Sequence, residues 1–280
     1  MTESHPSELD ANSPEFDRVV VTGGGSGIGR ALALALAAHG ATAYVMGRRI
    51  AALEETRSLA AGAPGDVRCV TCDVRDARIV DRAFAEVEAH AGVGAQALFH
   101  GAADIYTPSY IETVTPEAFA DVVTSRLIGT FHVLQRWARP LIVRGCPGVA
   151  VAVSSSLASR EAPGATHSGP ATAGVESMVR SMAREWGRHG LRLNVLAPGV
   201  FPSATVAAAA DTADEGGIEE TELGRRLLDL TPLARFGAMP EVVAPAMFLL
   251  SPAARFMTGD VLVLDGGLRL MDWAIVPRPD

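Results

Sequence analysis

The sequence predicts an α/β protein: one doubly wound domain around a mostly parallel sheet of about seven strands, with helices on both faces. Three observations carry this. From Arg18 onward, short apolar β-branched runs alternate with longer helix-like stretches, the pattern of βαβ units. The first run, Val19-Val20-Val21, leads into a glycine-rich turn, Thr22-Gly23-Gly24-Gly25-Ser26-Gly27-Ile28-Gly29, that opens a helix. The connections are short, and no Ser/Gly/Pro linker divides the chain.

Each element has its own signal. Three consecutive valines suit a strand covered on both faces. After Arg30 a run of alternating Ala and Leu reaches His39, all strong helix formers. Strands are expected at 42–46, 67–71, 95–100, 149–153, 191–196 and 261–264, and helices at 50–61, 76–91, 168–189 and 240–250. Thr115-Pro116-Glu117 opens a further helix, with a Thr cap, Pro at the first position and an acid in the first turn. This long helix is expected to run to about residue 143. Residues 204–230, rich in Ala, Glu and Leu, are expected to be helical and to cover the pocket. The polar residues 1–17 are expected to form a flexible tail, 18–270 the domain, and 271–280 a C-terminal tail.

Composition narrows the function. With 48% apolar and 20% charged residues among 280, the chain buries a large core. A net charge of −8 argues against nucleic acid or an anionic membrane as partner, since both require clustered positive charge. No apolar run is long enough to span a bilayer and no secretory leader is recognised, so a reducing cytoplasm is expected. Cys69 and Cys72 have C-x-x-C spacing but lie in an expected strand without a second pair or a nearby histidine, and are taken as buried thiols. No metal spacing is present and no metal is expected.

The glycine turn carries the first chemical inference. A helix that begins at such a turn offers unpaired N–H groups and a partial positive charge to an anion, commonly a nucleotide phosphate. In this kind of sheet the ligand sits at the carboxyl ends of the strands, where strand order reverses.

The chain resembles the short-chain dehydrogenase/reductase family from Arg18 to Leu270. The turn Thr22–Gly29 looks like the family's Thr-Gly-x-x-x-Gly-x-Gly. Asp73-Val74 resembles the pair that touches adenine, and Asn194 to Gly199 resembles the Asn-x-x-x-Pro-Gly segment beside the nicotinamide. Residues 232–237 and 258–267 resemble the family's C-terminal segments. The resemblance implies a Rossmann-like fold and a nicotinamide cofactor held by Gly23, Gly25, Ser26, Gly27, Ile28, Gly29, Arg48, Arg49, Asp73, Val74, Gly101, Pro198, Gly199 and Val200. Gly47 stands where an acid would hold the ribose hydroxyls of NAD, and Arg48 follows it. Arginine suits the 2′-phosphate of NADP, so NADP is favoured over NAD.

The family's redox machinery is a Ser, a Tyr-x-x-x-Lys pair and an Asn. Aligned from both flanks, residues 153–175 place Ser155 at the serine, Ser168 at the tyrosine and Thr172 at the lysine. Arg126 stands at the asparagine, within Ser125-Arg126-Leu127-Ile128-Gly129. His100 takes the first asparagine of the Asn-Asn-Ala-Gly segment. A serine hydroxyl with no cation beside it is a poor acid near pH 7. Other polar groups of interest are Asp104, Glu161, His167, Tyr106 and Tyr110. Adjacent His167 and Ser168 do not face each other on a helix, which disfavours a Ser–His hydrolase.

Three functions follow. One is an NADP(H)-binding oxidoreductase with a nonstandard site, acting on a small carbonyl or hydroxyl compound, with water, His100 or Tyr106 as proton source. The second is a non-redox enzyme on the same fold, working by elimination, cyclisation or other acid–base chemistry with Arg126, Ser155 and His100. The third is a catalytically silent NADP-binding partner protein. Family resemblance also implies a homodimer or homotetramer through the helices expected at 115–143 and 168–189, with a small-molecule substrate.

Overall fold

The structure, a computed structural model, describes residues 14–91, 94–103, 108–160, 163–202, 218 and 221–270. Its centre is a seven-stranded sheet in the order β3-β2-β1-β4-β5-β6-β7, every neighbouring pair parallel. The strands are β1 (Arg18–Thr22), β2 (Thr42–Gly47), β3 (Asp66–Thr71), β4 (Ala97–His100), β5 (Gly148–Val153), β6 (Leu191–Pro198) and β7 (Val261–Leu264). The helices are α1 (Gly27–Ala38), α2 (Ile50–Leu59), α3 (Ala77–Ala91), α4 (Pro116–Val123), α5 (Gly129–Arg144), α6 (Gly169–Trp186), α7 (Glu222–Asp229) and α8 (Met239–Leu250).

Two apolar layers flank the sheet. One joins alternate strand residues such as Val20, Leu98 and Ala152 to α3, α5 and α6 through Phe84, Trp137 and Val179. The other joins Val21, Phe99 and Val151 to α1, α2 and α8 through Leu36, Leu53 and Val242. Buried on both faces, the central strands need no polar alternation, and so they appear in the sequence as unbroken apolar runs. Buried Trp137 keeps its indole N–H satisfied on the Ala95 carbonyl at 3.0 Å.

The structure corrects one boundary. The helix expected to run to about residue 143 is interrupted: a π-helical turn, Thr124–Ile128, separates α4 from α5. Glu15, counted with the tail, is fastened to the domain. Its N–H donates to Leu250 O at 3.0 Å, and its carboxylate meets Arg192 at 3.0 Å and Arg255 at 3.3 Å. In the stretch 204–230, expected to be helical, α7 forms over Glu222–Asp229, capped by Thr221; residues 203–217, 219 and 220 lie outside the described residues. Among the described residues no helix is long and apolar enough to cross a membrane.

Candidate active site

Strand order reverses between β2-β1 and β4-β5, and there a cavity of about 800 Å³ opens beyond the carboxyl ends of the strands. Its floor is the glycine turn. Gly23 adopts φ +74°, and a Cβ there would lie 2.9 Å from the Gly101 backbone, so a side chain at this position would force β1 and β4 apart. A Cβ at Gly29 would lie 2.4 Å from Gly23 O. Ser26 caps α1 without a side-chain hydrogen bond. The first-turn residues Gly27, Ile28 and Gly29 therefore line the cavity with their amides unclaimed by a cap. This arrangement fits the pyrophosphate of a dinucleotide.

Arg30 braces the turn from behind. Its Nη2 donates to Gly25 O at 2.6 Å and to Glu55 Oε2 at 2.6 Å, and its Nε donates to Thr56 Oγ1 at 3.1 Å. Thr56 in turn donates to Gly24 O at 2.9 Å. The sequence reasoning passed over this brace; its signal was an arginine directly after Gly29, on the first turn of α1.

At the end of β2, Arg48 and Arg49 line the cavity beside Gly25 and Asp73. Asp73 is clasped by Arg75, with Nη2–Oδ2 at 2.7 Å and Nε–Oδ1 at 3.1 Å. These bonds hold its carboxyl below the usual carboxylate range, against the opposing effect of burial. Val74, Gly101, Gly199 and Val200 also line the cavity, whereas Pro198 lies just beneath it as the last residue of β6. Asn194 is structural. Its amide donates to Met257 O at 3.0 Å and its Oδ1 accepts the Asp260 N–H at 3.1 Å.

The five candidate catalytic residues separate into two sets. Ser155, Thr172 and Arg126 line the cavity together. Ser155 Oγ accepts the Leu157 N–H at 3.2 Å. Thr172 donates to the Gly169 and Ser168 carbonyls at 2.9 and 3.1 Å, one turn back along α6. Arg126 occupies the π-helical turn, a helix defect that often marks functional positions. Close approaches at two glycines fix the turn. A Cβ on Gly174 of α6 would lie 3.1 Å from Leu127, and one on Gly129 would lie 2.8 Å from Val74.

Ser168 and His100 form the other set. Both are buried and neither lines the cavity. Ser168 begins α6 with only 2% of its surface exposed. His100 points from β4 into the layer under α5 and α6. Its Nδ1 is 2.8 Å from Thr22 Oγ1, which also accepts the Ala102 N–H at 3.2 Å. Its Nε2 has no hydrogen-bond partner among the described residues. Burial pushes its pKa down to about 4, so the ring is neutral near pH 7. Next to Ser168, His167 is buried too, and burial, then the charge of Arg126, lower its proton affinity. Ser154 is bound to Glu176 at 2.9 Å. Asp104, Tyr106 and Glu161 lie outside the described residues, and Tyr110 is exposed.

Burial pushes the Cys72 thiol up to about 12 and raises Cys69 as well. Among the described residues no three His, Cys, Asp or Glu side chains gather as a metal site.

One compositional fact was legible and missed. All 24 basic residues of the chain are arginine, and there is no lysine. No lysine ammonium is therefore available to this site.

This geometry coincides with what comparison finds. The profile of the family described as Enoyl-(Acyl carrier protein) reductase matches residues 23–269. The chain belongs to the short-chain dehydrogenase/reductase family, oxidoreductases that typically bind NAD(P). Among its relatives is a probable 2,4-dienoyl-CoA reductase (2E-enoyl-CoA-producing) of Bacillus subtilis, 35% identical over 90% of this chain and 96% of the relative. A galactitol 2-dehydrogenase (L-tagatose-forming) of Cereibacter sphaeroides is 34% identical over 88% and 92%. A solved short-chain type dehydrogenase/reductase from Mycobacterium ulcerans superposes with a TM-score of 0.82 at 33% identity, covering 92% of this chain and 91% of that one.

Proposed function

We propose that the protein is an NADP(H)-dependent reductase whose substrate is an apolar acyl compound with a carbon–carbon double bond conjugated to its carbonyl. The observation that carries this reading is the state of Ser168 and Thr172. The Thr172 hydroxyl is bonded to backbone carbonyls, Ser168 is buried, and among the described residues no phenol–ammonium pair faces the cavity. Interconverting a ketone and an alcohol requires an acid at the oxygen as hydride moves. Reducing a conjugated double bond does not, because charge moves to the carbonyl oxygen and the proton is taken up on carbon, from water if need be.

Two further features support the reading. Arg48 and Arg49, with the uncharged Gly47 before them, suit a 2′-phosphate. On the far side, Val200, Phe201, Leu223 and Leu227 make an apolar wall suited to an acyl chain rather than a polyol.

Fluorescence titration with NADPH and NADH tests the cofactor, with the tighter binding expected for NADPH. The reaction is tested by NADPH oxidation with 2,4-hexadienoyl-CoA and acetoacetyl-CoA, against NADP⁺ reduction with galactitol. Turnover with the dienoyl thioester is the expected result. Turnover with galactitol alone, or no nucleotide binding, overturns the proposal. The backbone-bonded hydroxyls also favour a second reading, a silent NADP-binding protein, which tight NADPH binding without turnover on any substrate supports.

Assembly belongs to the same proposal. Phe119 of α4, Ile128 of the π turn and Phe131 of α5 are all exposed and suit contact between copies as a homodimer or homotetramer. Light scattering on the purified chain tests this.

A further inference from the structure

We propose that Arg126 is the group that takes up negative charge on the substrate's carbonyl oxygen, a guanidinium doing alone what a phenol–ammonium pair does in relatives that have one. The inference rests on the reductase reading above and goes beyond it by assigning the electrophile.

Composition restricts the candidates. With no lysine in the chain, any fixed cation in the site is an arginine. Four arginines line the described cavity: Arg48, Arg49, Arg75 and Arg126. The first two follow β2 and Arg75 follows β3, all three at the nucleotide end. Arg126 is the one on the side of Ser155 and Thr172, which follow β5 and lie on α6.

Position agrees with composition. The π turn that carries Arg126 is wedged between two elements. Gly129 admits Val74 on one side, and Leu127 packs on Gly174 of α6 on the other. Arg126, next to Leu127 on the turn, lines the same cavity as Thr172 of α6. Thr130 anchors the turn further by donating its hydroxyl to the Arg126 carbonyl.

The chemistry is complete with these groups. A reduced nicotinamide held in the cavity would supply a hydride to the terminal carbon of the conjugated system. The π electrons of the broken double bond move toward the thioester carbonyl, whose oxygen becomes an enolate oxygen opposite the guanidinium. A proton from water then adds to carbon and the carbonyl re-forms. The acyl chain gains two electrons and two hydrogens, and the nicotinamide is oxidised. Arginine stays protonated throughout, so it stabilises charge and does not donate the proton. Preorganised charge at the place where charge develops is a large source of rate enhancement.

The test reads enolate formation without turnover. Protein loaded with NADP⁺ is titrated with acetoacetyl-CoA, whose enolate absorbs in the near ultraviolet, with calorimetry to follow binding. The wild-type chain is expected to show the enolate band at a pH where the free thioester does not. R126M is expected to weaken enolate formation about ten- to a hundredfold, the range for a charge-assisted bond, and R126K to retain part of it. NADPH affinity should change less than about twofold in both variants, well below one such bond. Added methylguanidinium should restore the band to R126A, which a purely structural role would not allow. A band unchanged in R126M overturns the assignment and leaves the reductase reading standing. Failure of the wild-type chain to bind acetoacetyl-CoA overturns the acyl reading, and this inference with it.

Discussion

Arg30 Nη2 lies 2.6 Å from the carbonyl oxygen of Gly25 and 2.6 Å from Glu55 Oε2, so one guanidinium ties the glycine turn to α2. The carbonyl it holds belongs to the loop whose amides face the cavity. R30M removes this tie while preserving much of the side chain's bulk. Net loss of two to three hydrogen bonds implies about 1–3 kcal/mol of stability. NADPH binding, measured by fluorescence, is expected to weaken by about tenfold. An unchanged affinity would show that the turn holds its shape without the brace.

The Thr22–His100 contact predicts a pH dependence. His100 titrates at about 4 in the folded chain, against 6.5 for the unperturbed ring. Above pH 6.5 both folded and unfolded states are neutral at this site. Below it the unfolded chain takes up a proton that the folded chain refuses. Stability therefore falls as pH drops from 6.5 toward 4, by up to about 1.4 kcal/mol per pH unit from this residue. His167 shifts in the same direction, so H100N should reduce the acid slope without abolishing it. Urea midpoints measured between these pH values check this, and equal slopes in the two proteins would refute it.

Gly29→Ala tests the packing of the turn. The new methyl would sit 2.4 Å from Gly23 O, a backbone atom that cannot swing aside. Overpacking of this kind costs about 1–3 kcal/mol. The variant is expected to melt several degrees lower and to lose nucleotide binding out of proportion, because the displaced atoms are the cradle itself. Thermal unfolding with and without NADPH separates the two effects.

Arg48 sets the expected cofactor preference. R48E replaces a cation with an anion at the end of β2, where it repels a 2′-phosphate and can accept ribose hydroxyls. The NADPH/NADH affinity ratio should fall by about tenfold or more. A ratio that does not move would assign phosphate recognition to Arg49.

Most of the fold was legible in the sequence, because strands buried on both faces appear as short apolar runs and their ends are marked by glycine or charge. All seven strands lie where the pattern places them, to within about two residues. The helix over 115–143 shows why legibility stops. Its apolar period continues through Thr124–Ile128, and nothing local marks an insertion; the π turn lies where Val74 closes on Gly129 and Leu127 on Gly174 of α6, contacts between residues distant in sequence. The orientation of His100 was equally hidden. Every residue of β4 is buried, so the run Ala97-Leu98-Phe99-His100 does not say which face the last one takes. Ser168 and Thr172 are one turn apart at the start of α6, yet only Thr172 reaches the cavity, a difference that depends on how the helix's first turn is seated.

The order of strands has a consequence for how the chain is made. β1 leaves the ribosome before both of its partners, yet one of them, β4, follows 78 residues later, the separation of Thr22 and His100. Until then β1 can pair only with β2, and the side of the glycine turn that Gly101 closes stays open to solvent. The glycine cradle is thus a contact between an early and a late part of the nascent chain. A ribosome stalled so that residues up to about 90 have emerged would display a β1–β2–β3 unit with no competent cradle, and cofactor would first protect the chain once β4 has been extruded and docked.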